Sequence, residues 1–173
     1  MYNISDKFKN KAQKIKMIGF DVDGVLTDGS IFIAETGEVF KQFHALDGHG
    51  MRLAANFGIK ICIISARKSP SVHKRFEGFG FESDIYTGVI DKWSCMQEIM
   101  MIHNLDKDEI AFIGDDSLDI PVLEQVGLAA CPPNAHFSVQ KHIHYITEKS
   151  GGHGAARELI DVILIAQEKI PNS

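Results

Sequence analysis

The stretch Ile18-Gly19-Phe20-Asp21-Val22-Asp23-Gly24-Val25-Leu26-Thr27-Asp28-Gly29 sets the reading of the whole chain. An apolar run ending in Asp-x-Asp-Gly describes a buried strand that stops abruptly and turns, with two carboxylates one residue apart at its carboxyl end. Open α/β sheets carry their chemistry at that end of their strands. Two such close carboxylates repel each other unless a cation or a shared proton compensates, and their hard oxygen donors point to magnesium. Period-two alternation along an extended chain sends Asp21 and Asp23 to the same side. The string also fits a plain Asp/Gly turn, so the other parts of a site have to come from elsewhere.

A chain of 173 residues is the size of one domain and buries a real core; no linker, repeat or low-complexity tract divides it, so residues 1–173 read as a single domain. With 45% hydrophobic and 24% charged residues, it has the composition of a soluble globular protein. A net charge of −5 argues against nucleic acid as the partner, and a phosphorylated substrate would need a metal and a cationic pocket. Cys62, Cys95 and Cys131 are odd in number, widely spaced and set among apolar neighbours, the pattern of reduced core thiols rather than a zinc site. No apolar run has the length of a membrane span and the start lacks a signal-peptide core, so a cytoplasmic protein is expected.

Ile4, Phe8, Ala12 and Ile15 recur at helical spacing, predicting a helix over 4–16 whose interspersed lysines form a solvated face. A strand over 17–22 follows. Two β-rich runs around Glu35-Thr36-Gly37-Glu38 predict a hairpin at about 30–43. Ile31 and Ile33 face one way and Phe32 and Ala34 the other, so neither face is polar and a second subunit is expected to cover it. Asp47 reads as the N-cap of a helix ending before Gly58. Strands over 59–64, 84–86, 110–113, 128–131 and 143–146 then alternate with helices over 71–77, after Asp91, over 118–125 and after the Gly151-Gly152-His153-Gly154 loop. Strands apolar on both faces, alternating with helices, define an α/β parallel sheet covered on both sides.

Three strands end in polar groups that suit one another chemically. The first offers Asp21 and Asp23, the second Ser65 and Arg67, and the third Asp115 and Asp116, with Asp119 one helical turn further. Carboxyl ends of parallel strands share one edge of the sheet, so these groups can converge. Lys92 lies in a helix's first turn, where the macrodipole disfavours a cation by about 0.3–1 kcal/mol unless an anion is near. A lysine reaching solvent is an equal reading of that residue alone.

Taken together, Asp21, Asp23, Ser65, Lys92 and Asp115 resemble the four ordered motifs of the haloacid dehalogenase superfamily of aspartate-nucleophile phosphotransferases. Within it, Asp21-Val-Asp-Gly-Val-Leu-Thr-Asp-Gly29, the small hairpin, Asp47-Gly-His-Gly50 and Gly151-Gly-His-Gly-Ala-Ala-Arg-Glu158 are similar to the 3-deoxy-D-manno-octulosonate 8-phosphate phosphatase family, over about residues 15–165. The resemblance implies a Rossmann-like sheet with the hairpin as a minimal cap, and a magnesium phosphatase of lipopolysaccharide biosynthesis acting on that sugar-acid phosphate. Asp21 would be the nucleophile and Asp23 the acid/base. Asp21, the backbone carbonyl of Asp23, and Asp115 would hold the metal, with Asp116 and Asp119 fixing those ligands. Ser65 and Lys92 would hold phosphoryl oxygens, and a homotetramer would form around the hairpins. Arg67 could meet the substrate carboxylate, helped by Lys41 or Arg157; for each, a structural salt bridge is as good a reading. His44, His49 and His153 stay outside the catalytic set.

The chain departs from the family pattern twice: Ser65-Ala66-Arg67 stands for Thr-Gly-Arg, and Leu46 stands where an arginine usually precedes Asp-Gly. The choice of sugar acid is therefore open between this compound and a nine-carbon sugar acid 9-phosphate. A phospho-accepting signalling module is a rival from another class, with Asp23 the residue it would not need. A scaffolding protein without turnover is the third alternative.

Overall fold

The computed structural model describes Tyr2 and residues 5–172. Helix α1 (Asp6–Ala12) is shorter than its pattern predicts, and Ile4 lies outside the described residues. Ser5 caps it by accepting the Phe8 N–H. Gln167 donates to the carbonyls of Ala12 and Ile15, so the chain leaves the helix with its free acceptors satisfied from the far end of the sequence.

Strand β1 (Met17–Phe20) follows, then β2 (Phe32–Ala34), β3 (Gly37–Phe40) and helix α2 (Ala45–Asn56). The alternation continues through β4 (Lys60–Ser65), α3 (Pro70–Phe76), β5 (Ile85–Thr87), α4 (Lys92–His103), β6 (Ile110–Ile113) and α5 (Ile120–Leu123). It ends with β7 (Leu128–Cys131), β8 (Tyr145–Ile146) and α6 (Ala155–Ala166). Six strands form one sheet in the order β5-β4-β1-β6-β7-β8, with every neighbouring pair parallel. The expected α/β architecture is therefore present, and β1 sits inside it between β4 and β6.

Alternation along β1 explains how the two faces are filled. Ile18 and Phe20 join Phe8, Met51, Leu159, Ile160 and Ile163 on one side, whereas Met17 joins Met96, Ile99, Phe112 and Val122 on the other. Gly19 shares the second side, where a Cβ would lie 2.7 Å from Phe112 Cδ2 and 3.0 Å from Met96 Cε. Helix α4 thus packs closely on the centre of the sheet, with Met96 and Ile99 in the core.

Two local expectations are corrected. Asp47 is not the N-cap of α2: His44 holds that position, and Asp47 lies in the first turn. Its Oδ1 instead accepts the Arg157 N–H at 2.8 Å, because the N-cap of α6 is Gly154, which has no side chain to cap the helix. The helix expected over 118–125 divides into a 3₁₀ turn at Ser117–Asp119 and the short α5, with Pro121 in its first turn.

Strands β2 and β3 pair antiparallel as a separate hairpin, with a register shift at Phe32/Ile33. The Phe32 and Phe40 rings stack at 4.3 Å, yet Ile31, Phe32, Ile33 and Phe40 all remain exposed, Ile33 by 72%. The three cysteines are free and buried, and burial pushes the Cys95 and Cys131 thiols up to about 11. Among the described residues no helix is long and apolar enough to cross a membrane.

Candidate active site

One residue beyond β1, Asp21 keeps the sheet's register by donating its N–H to the Ile113 carbonyl at 3.0 Å. The chain then turns sharply: the N–H groups of Leu26 and Thr27 both reach the Val22 carbonyl. Gly24 sits in the turn at φ 92°, and a Cβ there would lie 2.0 Å from Asp115 Oδ2. Only glycine allows both that backbone and so near a carboxylate. At the end of β6, Gly114 plays a matching part, since a Cβ would meet Asp119 Cγ at 2.4 Å.

Two buried acids and one buried base meet where these turns converge. Lys92 Nζ lies 2.6 Å from Asp21 Oδ1 and 2.6 Å from Asp119 Oδ1. Asp119 Oδ2 accepts the N–H groups of Asp115 (2.9 Å) and Asp116 (3.1 Å), so both its oxygens are engaged in fixing the loop. Asp91 accepts from Ser94 N–H at the N-cap of α4, which sets the helix turn that carries Lys92 inward. The anion that the helix position calls for is thus present twice.

Electrostatics make this cluster unusual. Burial, reinforced by Asp119, pushes Asp21 up to about 7 even with Lys92 opposing it. Burial and then Asp21 and Asp119 push Asp115 up to about 8. Burial pulls the Lys92 ammonium down, but the two aspartates outweigh it and the net shift is upward. Carboxylate oxygens of Asp21, Asp115 and Asp119 lie within 4.8 Å of one another. Asp115 Oδ1 is buried without a hydrogen-bond partner among the described residues. An orphaned buried acceptor beside other carboxylates fits a hard divalent cation, which would satisfy the oxygen and relieve the repulsion.

Asp23 is placed beside this group but with different partners. Lys41 Nζ donates to its Oδ1, and Arg67 Nε lies 3.6 Å from its Oδ2. Ser65 ends β4, the neighbour of β1, where it is 1% exposed and accepts the Arg67 N–H at 3.3 Å. Asp116 is exposed, and its carboxylate accepts Ser117 N–H to cap its own turn. Arg157 pairs with Asp161 at 2.8 Å on its own helix, a structural salt bridge. His153 Nδ1 bonds within its loop to the Gly151 carbonyl. A concavity of about 770 Å³ along α4, lined by Ser94, Gln97, Met100 and Met101, holds none of these groups.

Sequence reasoning missed the brace behind the Asp23–Asp28 turn. Asn134 donates to the Gly24 carbonyl at 3.0 Å and accepts the Gly151 N–H at 2.8 Å, while Gly152 N–H reaches the Val25 carbonyl at 3.0 Å. A Cβ on Gly151 would lie 1.7 Å from the Gly24 oxygen. Buried Glu158 anchors the approach to this loop by accepting from Tyr145 Oη and from the N–H groups of Glu148 and Lys149. The adjacent glycines and the Asn after Pro132-Pro133 were the available signals.

Residues 75–159 match the haloacid dehalogenase-like hydrolase family. The 3-deoxy-D-manno-octulosonate 8-phosphate phosphatase of Yersinia pestis is 35% identical over 167 residues, covering 96% of this chain and 89% of the relative. A crystal structure of the Yersinia pestis phosphatase superposes with a TM-score of 0.93 over 98% of this chain and 91% of that one. The same phosphatase from Moraxella catarrhalis, solved in complex with magnesium ion, phosphate ion and the sugar acid, is 35% identical with a TM-score of 0.88, covering 92% of this chain and 91% of that one. The chain belongs to the 3-deoxy-D-manno-octulosonate 8-phosphate phosphatase family of haloacid dehalogenase-like hydrolases and is a phosphoric monoester hydrolase.

Proposed function

We propose that the protein is a magnesium-dependent phosphatase that hydrolyses 3-deoxy-D-manno-octulosonate 8-phosphate to the free sugar acid and phosphate through an aspartyl-phosphate on Asp21. The observation that carries this reading is the meeting of Asp21, Asp115, Asp119 and Lys92 at one edge of the sheet, with Asp115 Oδ1 left without a hydrogen-bond partner among the described residues. Likeness to a relative that holds magnesium, phosphate and the sugar acid together supports the choice of metal and substrate.

In this mechanism an Asp21 oxygen attacks phosphorus in line with the departing sugar oxygen, and its bond to phosphorus forms as the phosphorus–oxygen bond to the sugar breaks. Asp23 gives its proton to the departing oxygen, then takes one from the water that attacks the aspartyl-phosphate, so both acids return to their starting state. Lys92 and Ser65 hold the phosphoryl oxygens as charge moves over them. Asp21, Asp115 and the Asp23 carbonyl would hold the magnesium ion, which when bound supplies Lewis acidity. Asp119 keeps the Asp115–Asp116 backbone in place, and Asp116 shapes the same turn. The Arg67 side chain, 44% exposed, is available to the substrate carboxylate.

On the same reading residues 1–173 act as one cytoplasmic domain, and the exposed hairpin faces meet across a homotetramer. Phosphate release over a panel of sugar phosphates, with magnesium and with EDTA, tests the reading. Release should be fastest for the eight-carbon compound and abolished by EDTA. Preference for the nine-carbon 9-phosphate would overturn the substrate, and stable phosphorylation without turnover would favour a signalling module.

A further inference from the structure

Asp23 lies on a tight turn beyond the end of β1, so sheet hydrogen bonding does not fix its side chain, and its orientation depends on its neighbours. Two cations flank it, in different surroundings. The Lys41 side chain is 2% exposed and contacts Oδ1, whereas the Arg67 side chain is 44% exposed and stands 3.6 Å from Oδ2, beyond hydrogen-bond range. Lys41 is thus withdrawn from water and held against one oxygen of Asp23, while Arg67 stands off the other. Lys41 lies in the linker between β3 and α2, two residues before Phe43, whose ring packs edge-on against Phe76 at 5.7 Å.

We propose that Lys41 is a positioning residue for Asp23: it holds Oδ1 so that Oδ2 meets the leaving oxygen, which makes the segment after the hairpin part of the proton-transfer step. This rests on the reading of Asp23 as acid/base. Lys41 therefore acts through Asp23 and is not a ligand for the sugar acid's carboxylate.

Leaving-group dependence separates this role from phosphate binding or simple packing. A sugar alkoxide departs only when protonated, whereas p-nitrophenolate departs without a proton. The quantity to measure is kcat/KM, which ends at leaving-group departure, for Lys41→Met, Lys41→Arg and Asp23→Asn in saturating magnesium. The two substrates are p-nitrophenyl phosphate and whichever sugar phosphate the enzyme hydrolyses fastest. The ratio of the two values on one preparation is independent of the fraction of enzyme folded. General acid catalysis is worth about 10²–10⁴-fold. Lys41→Met should therefore lower the sugar phosphate value roughly 10- to 100-fold more than the p-nitrophenyl phosphate value, and Lys41→Arg should restore most of the ratio. Equal losses on both substrates with Lys41→Met, beside a selective loss with Asp23→Asn, would overturn the proposal alone. Absence of a selective loss with Asp23→Asn would overturn the acid/base reading and the proposal with it.

Discussion

Replacing Lys92 by methionine keeps the side-chain volume but leaves Asp21 and Asp119 facing each other without their shared cation. Each contact at 2.6 Å corresponds to about 6 kcal/mol of gross attraction at an effective dielectric of about 20. Desolvation of the three buried groups offsets most of that, and breaking such a buried arrangement by removing one partner costs about 3–5 kcal/mol. For a chain of this length each kcal/mol moves Tm by about 2–4 °C, so a drop of roughly 6–20 °C is expected. The assay is thermal and urea unfolding in EDTA at about pH 8.5, above the values of about 7 and about 8 that Asp21 and Asp115 have with Lys92 in place. At about pH 5.5 Asp21, already raised by burial, takes up a proton and the deficit should shrink; magnesium at high pH should shrink it too. Lys74→Met, at an 80% exposed lysine paired with Glu77 on the surface, should change stability by no more than about 0.5 kcal/mol. A loss below about 1 kcal/mol for Lys92→Met in EDTA at high pH would refute the electrostatic account of the cluster.

Gly151→Ala places a methyl on the Gly24 carbonyl and should displace the turn that carries Asp23, lowering kcat by at least about tenfold; unchanged kcat would show that the turn does not need this brace. Magnesium binding followed by calorimetry should tighten from about pH 5.5 to 8 and then level off, because the cation displaces protons from Asp21 and Asp115; pH-independent affinity would contradict their raised values. By the same linkage the metal-free fold binds these protons more tightly than the unfolded chain, whose carboxylates lie near 3.8. The metal-free protein should therefore lose stability as pH rises from about 4 to 8. Ile33→Glu, on the 72% exposed residue of the hairpin, should give a smaller species by light scattering with the unfolding midpoint of an isolated fold; an unchanged mass would remove the hairpin from the interface.

The apolar runs and the polar residues ending them made most of the architecture legible, because buried parallel strands need continuous apolar side chains and their carboxyl ends share an edge. Asp21, Lys92 and Asp115 were legible for that reason, and Lys92 had a further signal in its unfavourable place in a helix's first turn. What stayed hidden depends on distant partners. The Asp47 oxygen caps a helix 110 residues away, and Asn134 reaches Gly24 over the same span; local spacing carries no trace of either. Asp119 looked like a group behind the metal ligands, and its two oxygens do hold Lys92 and the Asp115–Asp116 backbone, yet Asp116 faces solvent and caps its own turn. Lys41 reads equally as a substrate contact or a structural salt bridge from the sequence, and the fold places it on Asp23.

The proposed chemistry depends on Asp21 carrying the phosphoryl group. Acid-quenching the enzyme during turnover with magnesium and the sugar phosphate, then reducing with borohydride, converts an aspartyl-phosphate into homoserine that peptide sequencing by mass spectrometry locates. Homoserine at position 21, absent without substrate and absent in Asp21→Asn, is the expected result. Homoserine at another aspartate, or an active Asp21→Asn enzyme, would contradict the account.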